Sequence, residues 1–236
     1  MIILSKTRNL WSRCGLMALT VPVILAMPGA ASAAVNDNSP AVTQTYDNQA
    51  QASSQTNRWT DLSVKYQFEQ TSAGTVTGDN SADASTSYCH DCGAVAIGFQ
   101  VLVVSLQHLA TLHVSNLAYA LSYYCTRCNT HADAYQIVFA AESPQLTLSQ
   151  ILGLASIGQK LQVLQYSGLS MARVRQLAAE FAQQAVLILQ QGIGTHQGGD
   201  GPEYSPALHG AGLPAAMAEN SGPVIDLYVQ HKSANG

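Results

Sequence analysis

Two C-x-x-C pairs, Cys89/Cys92 and Cys125/Cys128, are the residues of this 236-residue chain best equipped for chemistry. Thiols three residues apart across a turn can close disulfides, hold a tetrahedral zinc ion or form a redox-active dithiol. The two pairs belong to an internal repeat. Tyr88-Cys89-His90-Asp91-Cys92-Gly93-Ala94-Val95-Ala96-Ile97-Gly98-Phe99-Gln100-Val101 aligns without a gap on Tyr124-Cys125-Thr126-Arg127-Cys128-Asn129-Thr130-His131-Ala132-Asp133-Ala134-Tyr135-Gln136-Ile137, at a constant offset of 36. Tyr, both Cys, Ala96/Ala132 and Gln100/Gln136 are identical. Two copies fall short of the three or more that a solenoid needs, so they point to a duplicated structural unit.

Each copy reads as a C-x-x-C turn feeding a strand. The stretch between the strands is long enough for a crossover helix, which favours a β-α-β unit with a parallel, right-handed connection. Parallel strands begin at one end of a sheet, so all four cysteines should converge there. In an exported chain an even cysteine count implies disulfides, and three pairings are open. Closing a loop of about 36 residues would add about 3 to 4 kcal/mol through loop-closure entropy. Zinc is the second reading, although the spacing exceeds the usual 15 to 20 residues. A dithiol at one turn is the third. Haem attachment fails, because Gly93 and Asn129 stand where a His is required.

The strands add a detail. Ala96, Gly98 and Gln100 share one face, as do Ala132, Ala134 and Gln136. Small residues permit close approach, expected here as helix-on-sheet packing, with the two glutamine amides pairing.

The elements that position these turns follow from periodicity. Leu62, Val64, Tyr66 and Phe68 alternate with polar residues, which is a half-buried strand. Thr75 to Ser87 reads as its polar return strand in a hairpin. Ala94 to Val104 is a buried strand, Val114 to Tyr124 a short helix, and His131 to Ala141 another strand. Thr147 and Gln150 make a capping box for one helix that Gly168 ends. A second helix runs from about Ser170 to Gln191, giving an antiparallel helical hairpin. Val224 to Val229 reads as a last edge strand.

The rest of the chain sets the context. Lys6, Arg8 and Arg13 precede an apolar stretch from Leu16 to Met27, and Ala31-Ser32-Ala33 supplies a cleavage site, so residues 1–34 read as a secretory signal peptide. Removing them leaves seven bases against fourteen acids, a net charge of −7. Sparse Lys and Arg argue against a nucleic-acid partner, and no other segment is long and apolar enough to span a membrane. Residues 35–57 are polar and read as a disordered leader. No nucleophile elbow, phosphate loop or dinucleotide fingerprint occurs. His90 and His131 flank the cysteine turns. His196, Asp200, Glu203 and His209 cluster in a Gly/Pro-rich stretch, where a solvated loop is the default reading and a metal site the alternative.

The run from Cys89 through Val101, with Ser115-Asn116-Leu117-Ala118-Tyr119-Ala120-Leu121 and Cys125 through Val138, resembles a segment of secreted proteins in filamentous and other Gram-positive bacteria. Some relatives of that segment are appended to peptide zinc metalloprotease-like membrane proteins. The resemblance covers residues 85–142 and implies a shared extracytoplasmic compartment. It carries no protease residue, because the chain has no H-E-x-x-H.

The expectation is an α+β fold: a small sheet carrying the duplicated C-x-x-C unit and its crossover helix, packed against a helical hairpin. Its parts are signal peptide 1–34, leader 35–57, β-rich module 58–142, hairpin 143–192, and Gly/Pro-rich loop with edge strand 193–236. The expected function is a secreted or cell-envelope module, disulfide-stapled through Cys89, Cys92, Cys125 and Cys128. It would have no cofactor and an extracellular or envelope partner. The alternative is an extracytoplasmic metal- or thiol-dependent enzyme using the same four cysteines, with zinc as its metal.

Overall fold

The computed structural model describes residues 42–191 and 223–235. Residues 1–34, expected as a signal peptide, and the expected His196/Asp200/Glu203/His209 cluster lie outside them. The elements run β1 (Thr43–Ser54), β2 (Thr60–Thr71), β3 (Thr75–Ser87), β4 (Gly93–Ser105), β5 (Thr111–Tyr123), β6 (Asn129–Ala141), α1 (Leu148–Leu164), α2 (Met171–Gln190) and β7 (Val224–Asn235). They form an α+β fold with two sheets, ordered β1-β3-β5 and β2-β4-β6-β7.

The repeat has three copies, not two. Each is a rung, a strand–turn–strand arch with one strand in each sheet, and the rungs stack in parallel as a short β-solenoid. The second and third rungs stand at the offset of 36 seen in the sequence, with Gly93 beside Asn129 and Gln100 beside Gln136. The first rung carries no cysteine and stands 32 residues before the second in one sheet and 33 in the other, as Asn48 to Asn80 and Gln67 to Gln100 show.

This arrangement corrects four expectations. Much of the stretch expected as a disordered leader is β1. The strand at Thr75–Ser87 pairs in parallel with β1 and β5, not in a hairpin with β2. The expected crossover helix at Val114 to Tyr124 lies in β5, an extended strand of the opposite sheet. The small-residue face of β4 and β6 packs on the other sheet, not on the helices.

The sheets approach closely because their facing residues are small. Ala50, Ala52, Ala82, Ala84, Ala94, Ala96, Ala118, Ala132 and Ala134 form one buried cluster between them. At Gly98 the fit has no spare room: a Cβ there would come within 2.6 Å of the Ser81 carbonyl oxygen. The strands are also staggered. β1 rests against β2 and β4, β3 against β4 and β6, and β5 against β6 and β7. The second sheet therefore reaches past the first at both ends.

On its other face the second sheet meets the helical hairpin. Val95, Ile97, Phe99, Val101, Tyr135, Ile137 and Phe139 pack with Leu154, Ile157, Leu161, Val174, Phe181 and Leu189. Covered on both faces, β4 is buried along its whole length, which explains its unbroken apolar sequence. The capping box is present at Thr147 and Gln150. Gly158, a poor helix former in isolation, lets α1 lie against the Tyr66 ring, 2.5 Å from where a Cβ would stand. β7 closes the second sheet antiparallel to β6. It covers the edge expected from Val224 to Val229 and continues to Asn235. No described helix is long and apolar enough to cross a membrane.

Candidate functional site: four sulfurs at the arch tips

The turns joining β3 to β4 and β5 to β6 lie directly on one another. Asp91 N–H donates to the Thr126 carbonyl (3.0 Å), Thr126 N–H to the Cys89 carbonyl (3.2 Å), and Asn129 N–H to the Cys92 carbonyl (3.0 Å). This stacking brings together all four cysteines singled out in the sequence, their sulfurs within 4.8 Å of one another. Cys89, Cys92 and Cys128 are buried, and Cys125 is partly so.

The sulfurs are bonded within each turn, Cys89 to Cys92 and Cys125 to Cys128. The bridges therefore close short loops, not the 36-residue loop expected across the repeat. Loop-closure entropy then gives about 2 kcal/mol for each bridge, well under the value for a cross-rung bridge. Between the turns the sulfurs approach to 3.5 Å (Cys89–Cys125), 3.9 Å (Cys89–Cys128), 3.5 Å (Cys92–Cys125) and 3.0 Å (Cys92–Cys128).

The donor set also bears on zinc. Tetrahedral zinc with about 2.3 Å Zn–S bonds sets its sulfurs roughly 3.8 Å apart, which three of the cross-turn separations approach. Bonded sulfurs are not thiolates, however, so the cluster could take a metal only after both bridges were reduced. The same condition governs dithiol chemistry.

Electrostatics lock the turns in register. The Arg127 guanidinium makes two 2.7 Å hydrogen bonds to the Asp91 carboxylate on the rung below. That pairing holds the Asp91 carboxyl below its usual range and raises Arg127. Asp91 and Arg127 both adopt left-handed backbone, with φ of 54° and 56°. His90 Nδ1 lies 3.5 Å from Asp91, and neither His90 nor His131 belongs to the four-sulfur group. Tyr88 and Tyr124 stack beside the turns, ring centroids 5.6 Å apart.

Two polar constellations escape a motif search. The first runs between the sheets. Asn48 Nδ2 donates to Asn80 Oδ1 (2.7 Å), Asn80 Nδ2 to Asn116 Oδ1 (2.7 Å), and Asn116 Nδ2 to the carbonyls of Ala134 and Tyr228. A glutamine ladder runs the opposite way: Gln136 Nε2 donates to Gln100 Oε1 (2.7 Å), and Gln100 Nε2 to Gln67 Oε1 (2.8 Å). The expected Gln100–Gln136 pair is thus part of a longer chain of amides. Its sequence signals were an N-x-A-x-A pattern at Asn48, Asn80 and Asn116 and an aromatic residue before each of Gln67, Gln100 and Gln136.

The second constellation centres on Asp133 of β6, 0% exposed. It accepts two hydrogen bonds from Arg175 of α2 (2.6 and 3.0 Å) and lies 2.7 Å from His231 Nδ1 of β7. Burial pushes its carboxyl up, but His231 and Arg175 outweigh that and leave it below its usual range. Nearby, burial first and Arg175 second push His131 down, and its Nδ1 has no hydrogen-bond partner among the described residues. Because β7 lies some 90 residues further along the chain, no local pattern announces this cluster.

Matched against family models, curated proteins and solved structures, the chain is similar to none of them.

Proposed function

We propose that this chain is an extracytoplasmic structural and interaction module rather than an enzyme, its arch tips closed by the two disulfides. One observation carries this reading. The first rung makes a similar arch, one residue shorter at its tip, with Thr56 and Trp59 in the cysteine positions and Arg58 at φ 59° in the left-handed position of Asp91 and Arg127, but with no counterpart of left-handed Tyr88 and Tyr124. The arch therefore forms without sulfur, and the cysteines add cross-links to a shape already fixed. Sequence supports the compartment, through the signal-like residues 1–34 and the even count of four cysteines after them.

A second reading rests on the cross-turn sulfur separations: after reduction, the cluster would serve a metal- or thiol-dependent activity. Intact mass of the secreted protein decides between them, taken native and denatured, before and after reduction. The module reading expects a gain of four hydrogens on reduction and no metal adduct. Four free thiols with a zinc adduct present only in the native spectrum would overturn it and favour the metal-dependent alternative. Peptide mapping of the unreduced protein should recover each bridge within its own turn.

A further inference from the structure

We infer that the free edge of β5, together with the overhang of β7, is a slot for one extended strand of a partner polypeptide. The segment it fits has aliphatic or aromatic residues at the alternate positions that face outward and polar or small ones between them. This inference rests on the module reading and names its class of partner.

The first observation is an edge without the usual protections. Strand edges are normally guarded by charge, proline, bulges or a cover. β2, at one edge of the second sheet, carries Asp61, Lys65 and Glu69, and β7, at the other, carries Asp226 and Lys232. β5 has thirteen residues in unbroken register with β3, no proline, no Lys, Arg, Asp or Glu, and no strand on its far side among the described residues.

The second observation is a change of chemistry confined to that strand. On the outward face of the first sheet, aligned positions read Gln49, Ser81, Leu117; then Gln51, Asp83, Tyr119; then Ser53, Ser85, Leu121. The row is polar on β1 and β3 and apolar on β5 alone. Leu117 is 54% exposed and Tyr119 53%. A neighbouring strand with apolar residues at alternate positions would pair with this row directly.

The third observation sets the depth of the slot. β7 stands beyond β5 by the stagger of the sheets, and its face toward the first sheet carries Asp226, Tyr228, Gln230 and Lys232, aligned with Val138, Gln136, Ala134 and Ala132 of β6. A strand added beside β5 would continue the β3–β5 ladder and rest on this polar row, with Tyr228 and Gln230 at its middle. A complete rung of a second molecule would not fit, because its second-sheet strand would need the place of β7. The step therefore selects a single-layer segment, the geometry of strand addition.

The probe is a fluorescently labelled peptide with the sequence of residues 111–123, which alternates Leu117, Tyr119 and Leu121 with the polar or small Asn116, Ala118, Ala120 and Ser122, titrated into the full secreted chain. Saturable binding of one peptide per chain is expected, with slowed amide exchange along β5. Tyr119→Lys should weaken binding roughly tenfold, whereas Gln51→Lys, at the aligned position on β1, should leave it unchanged. Matching thermal melts of the two variants exclude misfolding. Absence of binding, or equal loss in both variants, overturns the inference. So does full protection of β5 amides in the free chain, which would place the chain's own segment in the slot. Self-association abolished by Tyr119→Lys would assign the slot to a second copy and overturn it too. None of these outcomes alters the disulfide mass result, so the module reading stands or falls separately.

Discussion

The first rung and the two above it build one arch from different materials. At its tip the first rung has Thr56, Asn57, Arg58 and Trp59, held by Arg58 N–H to the His90 carbonyl (3.1 Å) and by Asn57 Oδ1 accepting from the His90 N–H (2.9 Å). The later rungs place a disulfide there. Between the sheets all three share the same amide ladders. The contrast separates two roles: backbone stacking and buried amides set the shape, and the bridges restrict the unfolded chain.

Reduction of both bridges should give the largest effect. Two short loops contribute up to about 4 kcal/mol together by loop-closure entropy. The melting temperature should fall by up to about 10 °C, while far-UV circular dichroism at 20 °C stays unchanged. Loss of strand signal on reduction would show that the later arches, unlike the first, depend on sulfur.

The ladders distinguish rungs by position. Asn80 on the middle rung hydrogen-bonds Asn48, Asn116 and the Gly98 and Tyr135 carbonyls, whereas Asn48 on the end rung has a single such bond. Asn80→Leu should cost about 3 kcal/mol and Asn48→Leu about 1 kcal/mol, read from urea unfolding. Equal losses would mean that the ladder gains nothing from continuity.

Acid should act chiefly on the third rung, where the shifted groups are buried, with exposed Asp91 of the second rung, lowered by Arg127, adding to the decline at low pH. The His131 pKa is lowered on folding, so the unfolded chain takes the proton first and stability falls as pH drops below about 6.5. The Asp133 pKa is also lowered, so its contribution is present above about pH 3.9 and is lost as pH falls further toward the folded value. Melting temperatures across pH 7.5 to 3 should show both declines, a few degrees in the upper window. His131→Gln should remove the upper decline and leave the lower one.

The smallest effect is expected at Arg58. Left-handed backbone costs a non-glycine residue about 1 to 2 kcal/mol, and glycine returns part of that gain through its unfolded entropy. Arg58→Gly should therefore raise stability by no more than about 0.5 to 1 kcal/mol. A clear loss would show that the guanidinium itself braces the first tip.

Sequence reading reached the later rungs because their signals are strong. An apolar run marked β4, and Tyr-Cys-x-x-Cys in two registers gave both the parallel pairing and the convergence of cysteines. β1 escaped because its buried residues are Asn48, Ala50, Ala52 and Ser54, which have little hydrophobic contrast with Gln49, Gln51 and Ser53. The differing offset and the missing cysteines then hid the third copy. β5 misled differently: Leu117, Ala118, Ala120 and Leu121 do share a helical face, but Asn116, Ala118, Ala120 and Ser122 also alternate inward at period two. Periodicity cannot choose when the deciding partner is another sheet. Cysteine pairing was open because stacked turns bring every sulfur within reach of every other.

The stagger of the sheets makes the molecule a ruler. Every strand of the first sheet beds between two of the second, so the stack lengthens only by whole arches inserted below β7. A further 36-residue unit would extend it by about 4.8 Å and leave both ends chemically as they are. Reach, in this architecture, is counted in copies of a gene segment, while what the ends touch is inherited unchanged.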